Sequence, residues 1–578
     1  MRRFSRSDSN KRGTNSVGSQ YTSRRSRTLR LGLERLEERR VLAGFVESFG
    51  GAADETFFGY SSQHTMDPVG NVYLSGRFYS QNADFDPGTN SFPMSSAGGA
   101  DAFAAKYRAD GSFVWARRFG SAGDDGTSAN AFVSEAGTGY LYVAGTFEGS
   151  VNFGTVLVPI TLTSAGGPDM FFAKLNADTG ATIFAKSIGS TTGSEYVYDL
   201  AVANGQVFVG GSFNKTLDFD PGTGTAFRNP GGNGKNPSAD GFILQLDSNL
   251  NYVSSYQFGG NDVDKATGLV AESTSASVTS IYLLGAVGPN SGTVDLDPGT
   301  AIKNASGRFI AKYSISTTTV PTWSPDWVGS IGANGGGSVF TDADSLYFVG
   351  TFTGAQDFDP GLGVKTLTSA GGSDGVAARY NKANGSFVWA NQYGGTGSGS
   401  EGFKKGIVVQ SVDPVNNRLY LSFRAETASL DFNPGAGNGG EVSGNAAIGY
   451  DVLLKLNANS GAYQQVWQMG GTGRLWSRVA GTFGSSVYVA GYFSGTANFP
   501  TGGSLTSAGG YDIFLMALDD PTLAPPPAPA PALASTSTGA RSAKSSSVES
   551  SSVDAALLSL LHDDLEDLVA TRKRKKAA

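Results

Sequence analysis

Seven copies of one short pattern, a run of apolar and aromatic residues that ends near a small residue, recur along the chain. The copies are NVYLSGRF (71–78), YLYVAGTF (140–147), QVFVGGSF (206–213), IYLLGAV (281–287), LYFVGTF (346–352), LYLSFRA (419–425) and VYVAGYF (487–493). Their centres lie 65 to 74 residues apart. These residue types favour β-strands, and a recurring unit of this kind indicates a repeat architecture.

Two further strand-like patterns follow each copy. The second begins with DAFAAKY at 101 and recurs from 169, 240, 307, 374, 451 and 512. The third begins with SFVWARRFG at 112 and recurs from 181, 252, 326, 386 and 463. Its seventh copy is absent after the last unit and stands instead at the start of the repeats, as FVESFGG from Phe45. With the less uniform segment before each first pattern, every unit has four predicted strands, A to D.

Four strands repeated seven times predict an all-β fold, a seven-bladed β-propeller of four-stranded blades. The displaced FVESFGG would supply strand D of the last blade, so the N-terminal strand closes the ring and leaves no free sheet edge. An open solenoid is the alternative, but it would need no such circular offset. Turns such as RADGS and NKANGS between strands C and D carry the Asn, Asp and Gly of tight hairpins.

The composition divides the chain into four parts. Residues 1–44 form a basic arm, predicted to be disordered, and 45–520 form the propeller, with 24 Lys and Arg against 40 Asp and Glu. Residues 521–552 are a linker rich in Pro, Ala and Ser. In 553–578, apolar residues at helical spacing predict a short amphipathic helix with a basic end.

Several classes of function are disfavoured by composition. An acidic body argues against nucleic acid as the main partner, because phosphate binding needs a basic face. The chain has no cysteine, which excludes disulfides and thiolate metal sites. No apolar run approaches the roughly 18 residues of a membrane span. We expect a monomer with no transmembrane segment and no cofactor other than Ca²⁺.

The repeats GGADAFAAKYRADGSFVWARRFG (98–120) and GNVYLSGRF (70–78) resemble the SBBP-type β-propeller repeat of bacterial secreted proteins. The resemblance covers residues 45–519 and implies a propeller. It implies no particular activity. Blade 4, with PTWSPDWVG, and blade 6, with Phe423 in place of glycine, depart from the pattern.

The segment LERLEERRVLAG (33–44) resembles the LEPR-XLL motif of planctomycete surface proteins. The matching residues are Leu36, Glu37, Arg39, Leu42 and Ala43. Arg35 and Val41 stand where proline and leucine are usual in the motif. The resemblance implies export, so the expected location is extracellular or at the cell surface. Without it, the segment reads as a disordered cationic arm or a nucleic-acid patch.

An acidic pattern lies between strands B and C in five blades, as DFDPG in three, DLDPG in one and DFNPG in another. Two carboxylates spaced i, i+2 before a Pro-Gly turn can converge on Ca²⁺, or they can cap backbone N–H groups in an Asx turn. The candidate Ca²⁺ ligands are Asp84, Asp86, Asp218, Asp220, Asp295, Asp297, Asp357 and Asp359. Because a Ca²⁺ loop needs about six or seven oxygens, the turn reading is favoured.

The loops from strand D to strand A are also acidic and emerge on the same face of a propeller as the B to C loops. We expect a negative rim there that attracts cations or a basic partner. Its candidate residues are Asp54, Glu55, Asp124, Asp125, Glu195, Asp262, Asp264 and Glu401. A solvated surface that keeps the protein soluble is the simpler explanation for any single residue.

The sequence points away from catalysis. Its two histidines, His64 and His562, lie far apart, no phosphate-binding GxxxxGK[ST] is present, and the carboxylates recur once per blade. We therefore expect no enzymatic activity and a binding or scaffolding module for a protein or glycan at the cell envelope. The alternatives are a structural envelope component without a specific ligand and a polysaccharide-active enzyme.

Overall fold

The computed structural model describes residues 44–57, 63–155, 157–231, 238–316, 321–395, 410–413, 417–433 and 440–523. All regular structure in this part of the chain is β. It forms seven blades of four antiparallel strands, and the predicted seven-bladed propeller is confirmed. The predicted N-terminal arm and sorting motif, up to residue 43, and the predicted C-terminal helix lie outside the described residues.

The four strands of each blade follow the predicted order. Strands A are Glu55–Thr56 with His64–Met66, Gly126–Glu135, Glu195–Ala203, Lys265–Ser275, Gly337–Thr341, Gln410–Asp413 and Leu475–Phe483. Strands B are Val72–Phe78, Thr138–Phe147, Gln206–Phe213, Val278–Ala286, Ser345–Phe352, Arg418–Ala425 and Ser486–Phe493. Strands C are Asp101–Tyr107, Asp169–Asn176, Asp240–Asp247, Arg308–Ser316, Asp374–Asn381, Tyr450–Asn457 and Asp512–Asp519. Strands D are Phe113–Phe119, Thr182–Ile188, Tyr252–Phe258, Pro325–Ile331, Phe387–Tyr393, Tyr463–Gly471 and, for blade 7, Phe45–Phe49.

A two-stranded hairpin stands between strands B and C of every blade. The hairpins are Ala83–Asp84 with Pro93–Met94, Ser150–Asn152 with Thr161–Thr163, Leu217–Asp218 with Phe227–Arg228, Val294–Asp295 with Asn304–Ala305, Ala355–Asp357 with Thr366–Thr368, Ser429–Asp431 with Glu441–Ser443, and Thr496–Asn498 with Ser504–Thr506. Most hairpins are anchored by a buried aromatic ring. In blade 1, Phe85 packs against Phe78 at 5.4 Å and Phe103 at 5.1 Å between ring centroids.

The first strand of the propeller closes the ring. Phe45–Phe49 pairs antiparallel with Asp512–Asp519, from Phe45 opposite Ala517 to Phe49 opposite Ile513. Phe49 is buried and stacks on Tyr107 of blade 1, with centroids 4.9 Å apart. The closing strand therefore joins the last blade by backbone hydrogen bonds and the first blade by side-chain packing.

Neighbouring blades also interlock at the turns between strands C and D. At these turns, an aromatic residue from strand D of one blade packs against the turn glycine of the next blade. A Cβ added at Gly180 would lie 2.7 Å from the ring of Trp115, and one added at Gly111 would lie 2.7 Å from the ring of Phe45. Both glycines have positive φ, of 68° and 83°, which a side chain would strain. Phe45 thus occupies the same slot in blade 7 that Trp115 occupies in blade 1.

No helix long and apolar enough to cross a bilayer occurs in the part of the chain that the structure describes.

Truncating the closing strand's buried ring should destabilise the whole propeller. Phe49→Ala removes a ring that is 4% exposed and packed between two blades, and we expect a loss of about 3–5 kcal/mol in the free energy of unfolding. Phe227→Ala is the matched control, because that ring is 61% exposed and should cost less than about 0.5 kcal/mol. Urea denaturation measures both, and equal stability of the two variants would contradict the closure.

Candidate functional site

The acidic hairpin residues cap their own turns. In blade 3, Asp218 Oδ1 accepts the backbone N–H groups of Asp220 at 3.1 Å and Ala226 at 2.7 Å. Asp220 Oδ1 accepts that of Gly222 at 2.7 Å. The corresponding bonds form in blades 1, 4 and 5, at Asp84 and Asp86, Asp295 and Asp297, and Asp357 and Asp359.

Blade 2 makes equivalent bonds without a carboxylate. Asn152 Oδ1 accepts the backbone N–H groups of Gly154 and Ile160, both at 3.0 Å. A neutral oxygen therefore holds the turn as well as a charged one does. This arrangement favours the Asx-turn reading of the hairpins, and Ca²⁺ binding there stays a prediction.

Seven of the eight acids predicted for the rim are among the described residues, and they divide into an exposed group and a buried group. Asp54 and Asp124 are exposed and Asp262 is partly exposed. The acids at the starts of strands A are buried between blades, namely Glu55, Asp125, Glu195 and Asp264. Glu401 lies outside the described residues.

An aromatic cleft opens between blades 7 and 1 on the face of the D to A and B to C loops. Its volume is about 570 Å³. Trp476 stacks on Tyr492 with centroids 5.0 Å apart, and Tyr511 meets both rings edge-on at 5.4 and 5.7 Å. All three rings are partly exposed. Two sides of the cleft are completed by Tyr79 and by Asp54, whose Oδ1 accepts the N–H of Tyr511 at 3.0 Å.

Two guanidinium groups lie beside these rings. Arg424 is centred 4.6 Å from the Trp476 ring and Arg77 is 5.5 Å from that of Tyr79. Arg424 also pairs with buried Asp451 at 3.3 Å, so its charge is fixed in place. The cleft therefore combines apolar ring faces with one cationic donor, Arg77, and one carboxylate, Asp54, a combination typical of ligand sites.

The cleft breaks the repeat of the propeller. Tyr492 has no aromatic counterpart in blades 2 to 4, where Thr146, Ser212 and Ala286 stand at its position. Its cross-strand partner Trp476 has one among those blades, Tyr196 of blade 3. Tyr511 stands at the position that holds Ala100 in blade 1 and Ala239 in blade 3. Patterns shared by the blades do not reveal these residues. The signal in the sequence that does reveal them is departure from the repeat.

A buried polar cluster lies near the cleft at the same junction. Arg478 donates to Gln63 Oε1 at 2.5 Å, and its guanidinium lies 5.8 Å from the ring of Phe57, which lines the cleft. His64 Nε2 lies 2.9 Å from the carbonyl oxygen of Val479, so this nitrogen carries the proton and donates. Burial and the positive charge of Arg478 lower the pKa of His64 to about 3. His64 is therefore neutral at physiological pH.

Comparison with known proteins gives no family for this chain. No family model matches it, and no curated protein matches its sequence. Among solved structures, it is similar to a quinohemoprotein alcohol dehydrogenase from Pseudomonas putida, at 11% identity and a TM-score of 0.36, over 85% of this chain and 78% of that one. It is also similar to an ulvan lyase of a polysaccharide lyase family, at 10% identity and a TM-score of 0.37, over 80% and 97%. A rhamnogalacturonan lyase matches at 10% identity and a TM-score of 0.27, over 79% and 76%.

The prediction that this chain is not an enzyme is contradicted by these comparisons, because the similar structures are those of enzymes. The prediction rests on carboxylates that recur once per blade, whereas the aromatic cleft is confined to the junction of blades 7 and 1. At these TM-scores the likenesses assign neither a reaction nor a substrate to this chain.

Two substitutions of a hairpin carboxylate should show whether the turn needs an acceptor oxygen or a negative charge. Asp218→Ala loses both bonds to the main chain and should cost about 1–2 kcal/mol of unfolding free energy. Asp218→Asn keeps an acceptor oxygen and should stay within about 0.5 kcal/mol of the wild type. Thermal and urea denaturation compare the three proteins, and a loss in the Asn variant as large as that in the Ala variant would show that the charge is required.

The neutral state of His64 should appear in the pH dependence of stability. The unfolded chain takes up this proton near the ordinary pKa of 6.5, whereas the folded protein takes it up only near 3. The contribution of His64 is therefore complete above pH 6.5 and is lost as the pH falls towards 3, at about 1.4 kcal/mol per pH unit. We expect His64→Gln to lose less stability than the wild type between pH 7 and pH 5 in denaturation experiments. Parallel curves for the two proteins would contradict the assignment.

Proposed function

We propose that this propeller binds a polysaccharide chain in the aromatic cleft between blades 7 and 1. One observation carries the proposal: three packed, partly exposed aromatic rings, Trp476, Tyr492 and Tyr511, gather at one junction of an otherwise repetitive ring. The bound polysaccharide is either a ligand or a substrate, and a turnover experiment distinguishes the two.

The chemistry of the cleft suits a sugar. A sugar ring presents C–H groups on its faces and hydroxyl groups at its edge. The C–H groups pack on the electron-rich faces of aromatic rings, which Trp476 and Tyr79 supply. Hydroxyl groups need both donors and acceptors, and the guanidinium of Arg77 and the carboxylate of Asp54 line the same space.

The cleft is also open enough for a polymer. It lies on the loop face of the propeller, where Ala52 and Ala53 from the D to A loop and Gly510 from the B to C loop form part of its wall. These small residues leave room for a chain to continue past the rings. A bound polysaccharide can therefore extend beyond the cleft.

We further propose that the protein acts outside the cell or at its surface, where polysaccharides are found. The support is the resemblance of residues 33–44 to a surface-sorting motif. Fractionation of the native host should place the full chain in the envelope or the medium. Recovery from the cytosol alone would remove this part of the proposal and leave the cleft to be tested separately.

Removing one ring of the cleft should weaken binding strongly. Tyr511→Ala opens the aromatic cluster, and a stacked aromatic side chain at the centre of a site contributes about 2 kcal/mol or more, so affinity should fall about 30-fold or further. Tyr196→Ala is the matched control, since Tyr196 stands at the start of strand A of blade 3 on the same face, stacked on Tyr198. A glycan array selects the polysaccharide, and titration calorimetry measures its affinity.

The same experiment distinguishes binding from turnover. The selected polysaccharide is incubated with wild type and both variants, and its chain length is followed by size-exclusion chromatography. Shortening by wild type and Tyr196→Ala, but not by Tyr511→Ala, would identify a polysaccharide-active enzyme. Equal affinity of all three proteins, or no binding to any glycan, would overturn the proposal.

A further inference from the structure

Pairs of buried carboxylates lie at four of the seven blade junctions. Each pair, called a junction pair below, joins the acid that begins strand C of one blade to the acid at the start of strand A of the next. The pairs are Asp512 with Glu55, Asp101 with Asp125, Asp169 with Glu195, and Asp240 with Asp264. Every one of these residues is at most 3% exposed.

At two other junctions neither position of the pair is an acid. Between blades 4 and 5 the corresponding residues are Gly307 and Gly335, and between blades 6 and 7 they are Tyr450 and Leu475. At the remaining junction the residues that would face Asp374 lie outside the described part of the chain. Two like charges buried side by side destabilise a protein, and either a proton on one carboxyl or a cation between the two relieves the repulsion.

The junction pairs differ in how many of their oxygens are used. Asp125 and Asp264 accept backbone N–H groups with both carboxylate oxygens. In these two pairs only the strand C acid, Asp101 or Asp240, keeps a buried oxygen with no hydrogen-bond partner, whereas both members of the other two pairs do. In those other two pairs the oxygens are Glu55 Oε1 with Asp512 Oδ1, and Glu195 Oε2 with Asp169 Oδ1.

The carboxylates of Glu55 and Asp512 meet beside the main chain of Gly50. A Cβ on Gly50 would lie 2.6 Å from Asp512 Oδ1 and 2.7 Å from Glu55 Oε2. Glycine at position 50 therefore lets both carboxylates approach the same point of the main chain, which a side chain there would obstruct.

We propose that two of the junction pairs, Glu55 with Asp512 and Glu195 with Asp169, each bind one calcium ion. A divalent cation neutralises the two carboxylates and satisfies their unpartnered oxygens. Ca²⁺ takes six to eight oxygen ligands in flexible geometry, including backbone carbonyls and water. Within the described ranges, no three His, Cys, Asp or Glu side chains come together, so the remaining ligands are main-chain carbonyls and water.

These ions would join blade to blade. At the closing junction, the ion bridges the first residue of Asp512–Asp519 and the first residue of Glu55–Thr56, which are the last and first blades of the ring. Asp54 and Tyr511 of the aromatic cleft are the direct sequence neighbours of these ligands. Calcium would thus stabilise the closure and hold two walls of the cleft, whether or not a polysaccharide binds there.

The test uses the full chain, freed of metal with EDTA and titrated with CaCl₂ in a calorimeter. We expect two ions per chain and a higher melting temperature in Ca²⁺. Glu55→Gln with Asp512→Asn should lose one ion, and Glu195→Gln with Asp169→Asn should lose the other. Asp124→Asn with Asp262→Asn is the control, because these rim acids lie beside junction pairs but belong to neither proposed site, and it should still bind two ions.

We also expect the wild type and the variants to exchange their order of melting temperature between EDTA and Ca²⁺, which a merely structural role would not give. In EDTA, each neutral pair lacks the repulsion between buried charges, so the variant should melt above the wild type. In Ca²⁺ the order should reverse, because only the wild type gains the ion. Unchanged ion number in both variants, or a wild-type melting temperature indifferent to Ca²⁺ and EDTA, would overturn the proposal.

Discussion

The structure depends on the antiparallel pairing of Phe45–Phe49 with Asp512–Asp519. Without it, the last blade would have three strands and an open edge, and the first blade would lose the neighbour against which Phe49 packs. Closure also brings the two ends of the repeat region together. Residues that are more than 450 positions apart, such as Asp54 and Tyr511, become hydrogen-bonded neighbours.

Residues that recur around the ring maintain the fold, whereas residues that differ in one or two blades form the candidate site. The hairpin phenylalanines and the turn glycines recur from blade to blade and hold the blades in register. The aromatic cleft arises where the repeat is broken, at the closing junction. A ring of similar blades can hold a unique site in this way, because a change in one or two blades alters the surface locally while the other junctions maintain the fold.

Adjacent residues in one loop can have opposite environments. Asp54 is exposed and lines the cleft, whereas Glu55 next to it is buried between blades. In the sequence both belong to the same acidic loop, which predicts one shared rim. The first residue of strand A points between blades and the residue before it points to solvent, so the exact start of a two-residue strand separates a surface charge from a buried one.

The sequence by itself determined the number of blades, the order of their strands and the displaced closing strand, because these follow from local patterns that repeat with a regular spacing. The capping role of the hairpin acids was also within its reach, since Asp and Asn bond to main-chain groups only a few residues away. Only the tertiary structure decided which acids are buried in pairs and which rings meet in the cleft. Those arrangements join residues of different blades, and their distances depend on how the closed ring packs one blade against the next.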